Sequence, residues 1–219
     1  MCRLAYIKRP FDGMAAWLAS LESSMGGNGN GVAVADRCVK GVSISVKRTV
    51  HAMDDLQRGR RHTPVLWHTR RTSSGNTHDD LCHPFPCDGG WLAHNGHWQW
   101  AHAEALKVNG FGPMSDTRLF SMVVDRDSFE SAVARLAPPG VWLHMRHDGK
   151  LAVWLGSGDL WYCSKLGAWG SEPAKVGSWF EVQSGWYGYG ETPKRQPTNV
   201  VTIPRQAHGC EWLSNEEDE

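Results

Sequence analysis

Met1-Cys2-Arg3-Leu4 opens the chain, and the cysteine at position 2 decides how the rest of the sequence is interpreted. Cysteine is small enough for removal of an initiator methionine to be expected, which makes Cys2 the first residue. An α-amine with a pKa of about 8 then shares a residue with a thiol of pKa about 8.5. The amine can act as general base for that thiol, directly or through water. Taken alone, position 2 favours a cysteine without catalytic function, so the interpretation depends on the segments that follow.

Five further segments follow Cys2 in a distinctive order. They are Gly27-Asn28-Gly29-Asn30-Gly31, His68-Thr69-Arg70, His83-Pro84-Phe85, His94-Asn95-Gly96 and Ser115-Asp116-Thr117. No single segment is specific, because Asn-Gly turns and Ser-Asp-Thr runs are common. In this order, behind an N-terminal cysteine, they resemble the class II glutamine amidotransferase domain, a branch of the N-terminal-nucleophile hydrolases. The resemblance runs from residue 2 to about residue 190 and is closest to the small standalone members.

The resemblance implies how a glutamine substrate is held. Asn95 and Gly96 form the oxyanion hole, because an amide side chain and a backbone N–H are two donors and glycine permits close approach. Arg70 binds the α-carboxylate, which a guanidinium contacts in bidentate fashion, while Arg71 faces the opposite side of the strand. Asp116 binds the α-ammonium. As local patterns, Asn95-Gly96 also predicts a hairpin turn and Asp116 a helix cap, and both are compatible with these roles.

The implied activity is hydrolysis of a γ-carboxamide with Cys2 as nucleophile, through a γ-glutamyl thioester and without a cofactor. Three hypotheses stay open. The protein supplies ammonia from glutamine to a separate synthase, it hydrolyses another γ-glutamyl amide, or it is a catalytically silent binding module on the same fold. The complete set of Cys2, Arg70, Asn95, Gly96 and Asp116 argues against the third.

The segment after Arg70 departs from the family pattern. Synthase-coupled members read Ala-Thr-His-Gly-like there, whereas this chain has Thr72-Ser73-Ser74-Gly75. The way in which this loop closes over the substrate in the family, and the contacts that it makes there, are therefore not assigned to this chain. The C-terminal third has no synthase domain, so the acceptor of ammonia stays unidentified.

The fold implied by the resemblance is α+β, a four-layer αββα sandwich with two antiparallel sheets face to face and helices outside. Local patterns agree with this class. A helix capped by Asp12 has one buried stripe, and further helices begin near Ser115 or Asp116 and near Ser128. Alternating residues predict a hairpin over residues 141–155 with its turn at Asp148-Gly149, and residues 71–89 are expected to form a long loop. The buried stripe of the helix capped by Asp12 consists of Met14, Trp17, Leu18 and Leu21.

One domain over residues 2–210 is expected, followed by an acidic, disordered tail at residues 211–219. Lys plus Arg and Asp plus Glu both number 23, so no net field favours nucleic acid. No apolar run of about eighteen residues predicts a membrane span. The six cysteines are scattered, which argues against a disulfide scaffold and for a reduced, cytoplasmic protein.

Zinc binding is the competing chemistry for the segment before the His-Asn-Gly motif. Two prolines interrupt this segment, and no second Cys-x-x-Cys pair completes a tetrahedral site, so no metal is expected. The candidate ligands are His78, Cys82, His83 and Cys87, and the prolines are Pro84 and Pro86.

Overall fold

A computed structural model describes residues 2–25, 27–38, 41–51, 64–71, 77–101, 114–194 and 200–201. Within these ranges the chain is a mixed α/β fold with two antiparallel sheets, which confirms the coarse part of the fold prediction. The helices described along their whole length are α1 (Met14–Met25), α2 (Asp116–Asp127), α3 (Phe129–Leu136) and a 3₁₀ turn (Asp79–Leu81). The strands are β1 (Arg3–Ile7), β2 (Asn30–Cys38), β3 (Gly41–Thr49), β4 (Val65–Thr69), β5 (Phe85–Cys87), β6 (Gly90–Asn95), β7 (Val141–Arg146), β8 (Leu151–Leu155), β9 (Trp161–Cys163), β10 (Ala168–Gly170), β11 (Trp179–Glu181), β12 (Gly185–Tyr187) and β13 (Val200–Val201).

The first sheet places β1 near its centre, in the order β13-β11-β9-β10-β1-β4-β2-β3. On one side β1 pairs with β4, so that Leu4 is opposite His68, and on the other side it pairs with β10. Because β1 and β4 are antiparallel, the start of β1 and the end of β4 lie side by side, at the edge of the sheet that is formed by strand ends. The residue before β1 and the residue after β4 are therefore neighbours in space. These residues are Cys2 and Arg70.

The second sheet has the order β12-β8-β7-β6-β5, and Asn95 at the end of β6 lies near β1 of the first sheet, because Asn95 and Leu4 both contact Ser171. Asn95 is the last residue of β6 and is opposite Val141, the first residue of β7. The predicted hairpin is confirmed, since β7 and β8 pair throughout and Leu143 is opposite Val153. Alternate residues of this hairpin therefore point to the first sheet.

The core between the two sheets is formed by side chains from both of them. Leu4, Tyr6 and Leu66 from the first sheet share one apolar cluster with Leu143 and Val153 from the second. Burying one such aliphatic side chain contributes about 1.5–3 kcal/mol. This cluster fixes the position of one sheet, and of its edge, relative to the other.

Helices pack against both sheets. The predicted stripe of α1 is buried as expected, and Trp17 and Leu21 pack with Ala5 and Trp67 on the first sheet. On the second sheet, the α2 and α3 side chains pack with Trp142 from the sheet, in a cluster that includes Phe120 and Phe129. Ser128 caps α3 with its hydroxyl, which accepts from the Ser131 N–H.

The prediction of one long loop over residues 71–89 is wrong for the part that the structure describes. It contains the 3₁₀ turn and β5. Pro86 lies in β5, which is the edge strand of its sheet, and an edge strand accepts proline because one side needs no N–H donor. The acidic tail expected at residues 211–219 lies outside the described residues. None of the described helices has the length and apolar character that a membrane crossing requires.

Candidate active site

Cys2 lies at the edge of the first sheet, partly buried, with its Sγ 3.8 Å from the Arg71 carbonyl oxygen. Removal from water raises the pKa of this thiol, while a backbone hydrogen bond with Arg71 and the positive charge of Arg70 act in the opposite direction. The negative charge of Asp116 also acts on it and raises the pKa. A thiol of this kind needs a base to become a nucleophile at neutral pH.

Arg70 follows β4 and is held in place through its backbone. Its N–H donates to the Gly29 carbonyl at 2.6 Å, and its own carbonyl accepts from the Asn28 N–H at 3.1 Å. The glycine-rich segment thus serves as a backbone clamp, and a side chain at Gly29 would collide with the Cys82 Sγ. Only 8% of Arg70 is exposed, whereas Arg71 is exposed. The two adjacent arginines face opposite sides, and only Arg70 points inward.

Asn95 and Gly96 lie at the corresponding edge of the second sheet. The Asn95 Nδ2 donates to the Ser171 Oγ at 3.3 Å, and its Oδ1 is buried without a hydrogen-bond partner among the described residues. Gly96 is exposed and has φ of 154°, and a Cβ there would come within 2.7 Å of the His94 Nε2. The backbone conformation and the close approach of His94 therefore favour glycine at position 96.

Asp116 is the first residue of α2, and the cap itself is Ser115, whose Oγ accepts from the Arg118 N–H at 3.2 Å. The Asp116 Oδ1 accepts from the Thr117 N–H and hydroxyl at 2.7 and 3.2 Å, and Oδ2 accepts from the Trp98 N–H at 3.1 Å. A carboxylate offers about four acceptor sites. Among the described contacts this leaves capacity on Oδ2 for a further donor, such as an ammonium group.

Three buried histidines lie together in the interior, and the sequence analysis assigned them no catalytic role. The charge of Arg70 affects the pKa of His68 and of His83, and the charge of Asp116 affects the pKa of His94. The rings of His68 and His83 are 4.0 Å apart, and His94 stacks on Trp142 at 3.8 Å. Burial lowers the pKa of His68 to about 3 and the pKa of His94 to about 4, with Asp116 opposing the second shift; it also lowers the pKa of His83 well below its usual range. All three are neutral at neutral pH.

The zinc candidates have other partners. The Cys82 Sγ lies 3.4 Å from the Thr49 carbonyl oxygen and 3.6 Å from the His78 carbonyl oxygen, and His83 packs between His68 and Phe85. In the described part of the chain, no group of three or more His, Cys, Asp or Glu side chains is arranged to hold a metal ion.

The structure thus brings the five predicted site residues to one side of the molecule. Cys2 and Arg70 lie at the same strand-end edge of the first sheet, and Asn95 and Gly96 lie at the end of β6 in the second sheet. The charge of Asp116, at the start of α2, raises the pKa of the Cys2 thiol. A residue that the sequence interpretation missed is Ser171, which contacts both β1 and Asn95. The Thr72-Ser73-Ser74-Gly75 segment lies outside the described residues.

Comparison with known proteins finds the likeness in structure alone. No protein-family model and no curated protein matches the chain by sequence. The glutamine phosphoribosylpyrophosphate (PRPP) amidotransferase from B. subtilis, solved with ADP and GMP, has a TM-score of 0.56 and 16% identity, covering 78% of this chain and 42% of that one. The allosteric regulatory enzyme of purine biosynthesis has a TM-score of 0.57 and 15% identity, covering 78% and 41%. This chain therefore spans about two fifths of the length of either neighbour. At such identity the likeness concerns the fold alone, and at that level it confirms the resemblance to the class II glutamine amidotransferases.

Proposed function

We propose that this protein hydrolyses the γ-carboxamide of glutamine, with Cys2 as an N-terminal nucleophile. The observation that carries the proposal is the placement of a thiol, a buried arginine and an amide donor at adjoining edges of the two sheets, with a carboxylate nearby at the start of α2. A chain with the fold of glutamine amidotransferases and these groups in these places has the parts that amide transfer needs.

The reaction follows from the chemistry of these groups. The Cys2 α-amine takes the thiol proton, and the thiolate attacks the amide carbon. The resulting oxyanion accepts hydrogen bonds from the Asn95 Nδ2 and the Gly96 N–H. Collapse expels ammonia, which takes the proton from the α-amine, and leaves a γ-glutamyl thioester. Water, deprotonated by the same amine, then releases glutamate and the thiol.

Asn95→Ala is expected to lower kcat by about a hundredfold or more, because an oxyanion donor is lost. Asn95→Asp is the matched variant, since it keeps the size but replaces the donor with a negative charge, and it should be at least as inactive. Steady-state glutamate release by variants with normal circular dichroism measures this. An Asn95→Ala enzyme with near-normal kcat would remove Asn95 from the site.

Arg70→Lys is expected to raise KM for glutamine, because an ammonium group does not reproduce the bidentate contact with a carboxylate. The effect should disappear with 4-aminobutyramide, which keeps the amine and the amide but lacks the α-carboxylate. Arg71→Lys is the control, since Arg71 is exposed. If Arg70→Lys weakens both substrates equally, Arg70 does not bind the carboxylate.

The finer parts of the fold and of the cellular role are proposed with it. The three apolar clusters support a four-layer αββα sandwich within one domain over residues 2–210. Free thiols at Cys2, Cys82, Cys87 and Cys163 support a reducing, cytoplasmic environment. Ammonia would pass to a separate acceptor enzyme.

A glutaminase assay on the purified protein separates the hypotheses. Glutamate release from glutamine supports the proposed function. Release only from other γ-glutamyl amides shifts the substrate while keeping the chemistry. Turnover of neither compound, by protein whose mass shows that Cys2 is the first residue, leaves a binding module on the same fold.

A further inference from the structure

The Ser171 hydroxyl lies between the strand that follows the nucleophile and the residue proposed to hold the oxyanion. Its Oγ accepts from the Leu4 N–H at 3.0 Å, is 3.4 Å from the Leu4 carbonyl oxygen, and is 3.3 Å from the Asn95 Nδ2. Only 7% of Ser171 is exposed. A single side-chain oxygen thus joins β1 of the first sheet to the end of β6 in the second.

These contacts use all the hydrogen-bonding capacity of that oxygen. A hydroxyl has a single hydrogen and a pair of acceptor sites. The hydrogen goes to the Leu4 carbonyl, and the acceptor sites take the Leu4 N–H and one Asn95 N–H. Ser171 therefore has no hydrogen left to donate to the Asn95 Oδ1. The Asn95 amide accordingly faces Ser171 with its NH₂ group, and this contact sets the orientation of the amide about its terminal torsion.

The consequence concerns the second hydrogen on the Asn95 Nδ2. With one N–H held by Ser171, the other is directed away at the trigonal angle of the planar amide. This is the donor that the proposed reaction needs for the oxyanion. Without Ser171, the buried Oδ1, which has no partner among the described residues, could exchange places with the NH₂ group by a half-turn of the amide.

Ser171 is itself rigidly placed. Its backbone N–H donates to the Leu4 carbonyl at 3.0 Å, next to the β1–β10 pairing in which Ala5 is opposite Gly170. The next residue, Glu172, pairs with the Arg3 guanidinium at 2.6 Å and accepts from the Trp17 indole through its carbonyl at 3.1 Å. The Ser171 hydroxyl is therefore held in place by the backbone pairing of Ser171 with Leu4 and by the contacts of Glu172, the next residue.

We infer that Ser171 is a positioning residue, which orients the Asn95 amide so that one N–H is presented to the oxyanion and which sets the distance between the Asn95 edge and the Cys2 strand. This inference rests on the proposed function for its catalytic meaning. Among the described contacts of Ser171, none involves an atom that reacts in the proposed mechanism. The hydrogen-bonding arrangement stands on geometry alone and can be tested without activity.

The first test is nuclear magnetic resonance on ¹⁵N-labelled protein. The Asn95 side-chain amide is identified by its loss in Asn95→Ala. In the wild type, one of its protons should show a nuclear Overhauser effect to the Ser171 β-protons, and Ser171→Ala should shift the amide resonances and speed their exchange with water. Ser121→Ala is the control, because Ser121 is also buried and its hydroxyl donates only within α2, to the Arg118 carbonyl. Absence of the Overhauser effect, or Asn95 resonances unchanged by Ser171→Ala, overturns the inference.

The second test is a double-mutant cycle on glutamine hydrolysis. Ser171→Ala should lower kcat about tenfold with KM nearly unchanged, because a misplaced donor weakens the transition state and Arg70 and Asp116 are untouched. In an Asn95→Ala background, the same change should have little further effect. Equal losses in both backgrounds would overturn the inference. A wild-type protein that does not hydrolyse glutamine would instead remove the proposed function, while the resonance test still decides the Ser171–Asn95 contact.

Discussion

A tag fused in front of Cys2 is expected to abolish glutamine hydrolysis, whereas the same tag after Glu219 leaves hydrolysis intact. The proposed base is the α-amine of Cys2. A peptide bond before Cys2 converts that amine to an amide, which does not accept a proton near neutral pH. The thiol then keeps a pKa raised by burial, without a base to ionise it.

A removable tag provides the matched control. A protease that leaves Cys2 as the first residue should restore activity to the level of the C-terminally tagged protein, and the intact mass should show that nothing precedes Cys2. Cys2→Ala should remain inactive in every form. Full turnover by a protein whose mass still includes residues before Cys2 would exclude the α-amine as the base, and the roles of Arg70 and Asn95 would need another explanation.

Acidification below pH about 6.5 is expected to destabilise the fold by several kcal/mol, because four histidines are buried in their neutral form. The pKa is lowered to about 3 for His68 and to about 4 for His94 and His144, and it is well below the usual range for His83. The unfolded chain binds these protons at a higher pH than the folded chain does. Stability is therefore complete above the unfolded pKa of about 6.5 and falls with pH down to the folded values, by up to about 1.4 kcal/mol per pH unit for each histidine.

Urea unfolding at pH values from 7.5 to 4.5, followed by tryptophan fluorescence, measures this dependence. His68→Phe should reduce the slope, since it replaces a buried imidazole beside His83 with a ring that does not bind a proton. His51→Gln is the control, because His51 is exposed. A free energy of unfolding that stays constant between pH 6.5 and 4.5 would show that these histidines are not buried as neutral groups.

Elements with a strong local pattern were predictable from the sequence. The stripe at Met14, Trp17, Leu18 and Leu21 is the buried face of α1, and the alternation around Asp148-Gly149 is the β7–β8 hairpin. In these segments, periodicity and turn chemistry agree, and each spans enough residues to distinguish a helix from a strand. The starts of α2 and α3 were predicted near Ser115 and Ser128, and each serine accepts a hydrogen bond from the first turn of its own helix.

Short strands without a pattern were not predictable. β10 and β12 have three residues each, and their positions depend on pairing with β1 and β8. β5 was hidden by Pro86, which suggests a loop locally and is accepted because the strand lies at a sheet edge. In each case tertiary context outweighs the local signal.

The placement of Arg70 could be anticipated, but Ser171 could not. Arg70 stands in a recognisable segment, and the alternation of strand residues predicts that Arg71 faces away. Ser171 is part of no motif, and its hydroxyl contacts Leu4, which is 167 residues away in the chain. The buried histidines are similar, because hydrophobic patterning treats a histidine as polar and does not predict that His68 is fully enclosed. Such contacts depend on how strands that are distant in the sequence pair with each other, and the local sequence does not determine that pairing.

Because the proposed nucleophile and the proposed oxyanion donor belong to different sheets, neither sheet by itself would contain the proposed active site. Loosening of the shared apolar layer would allow the sheets to slide while each kept its own ladder of hydrogen bonds. Such a molten state would have native far-ultraviolet dichroism and every reactive group, and yet no turnover. The rate of amide hydrolysis would then report tertiary order, and it would fail earlier than secondary structure as the molecule is heated.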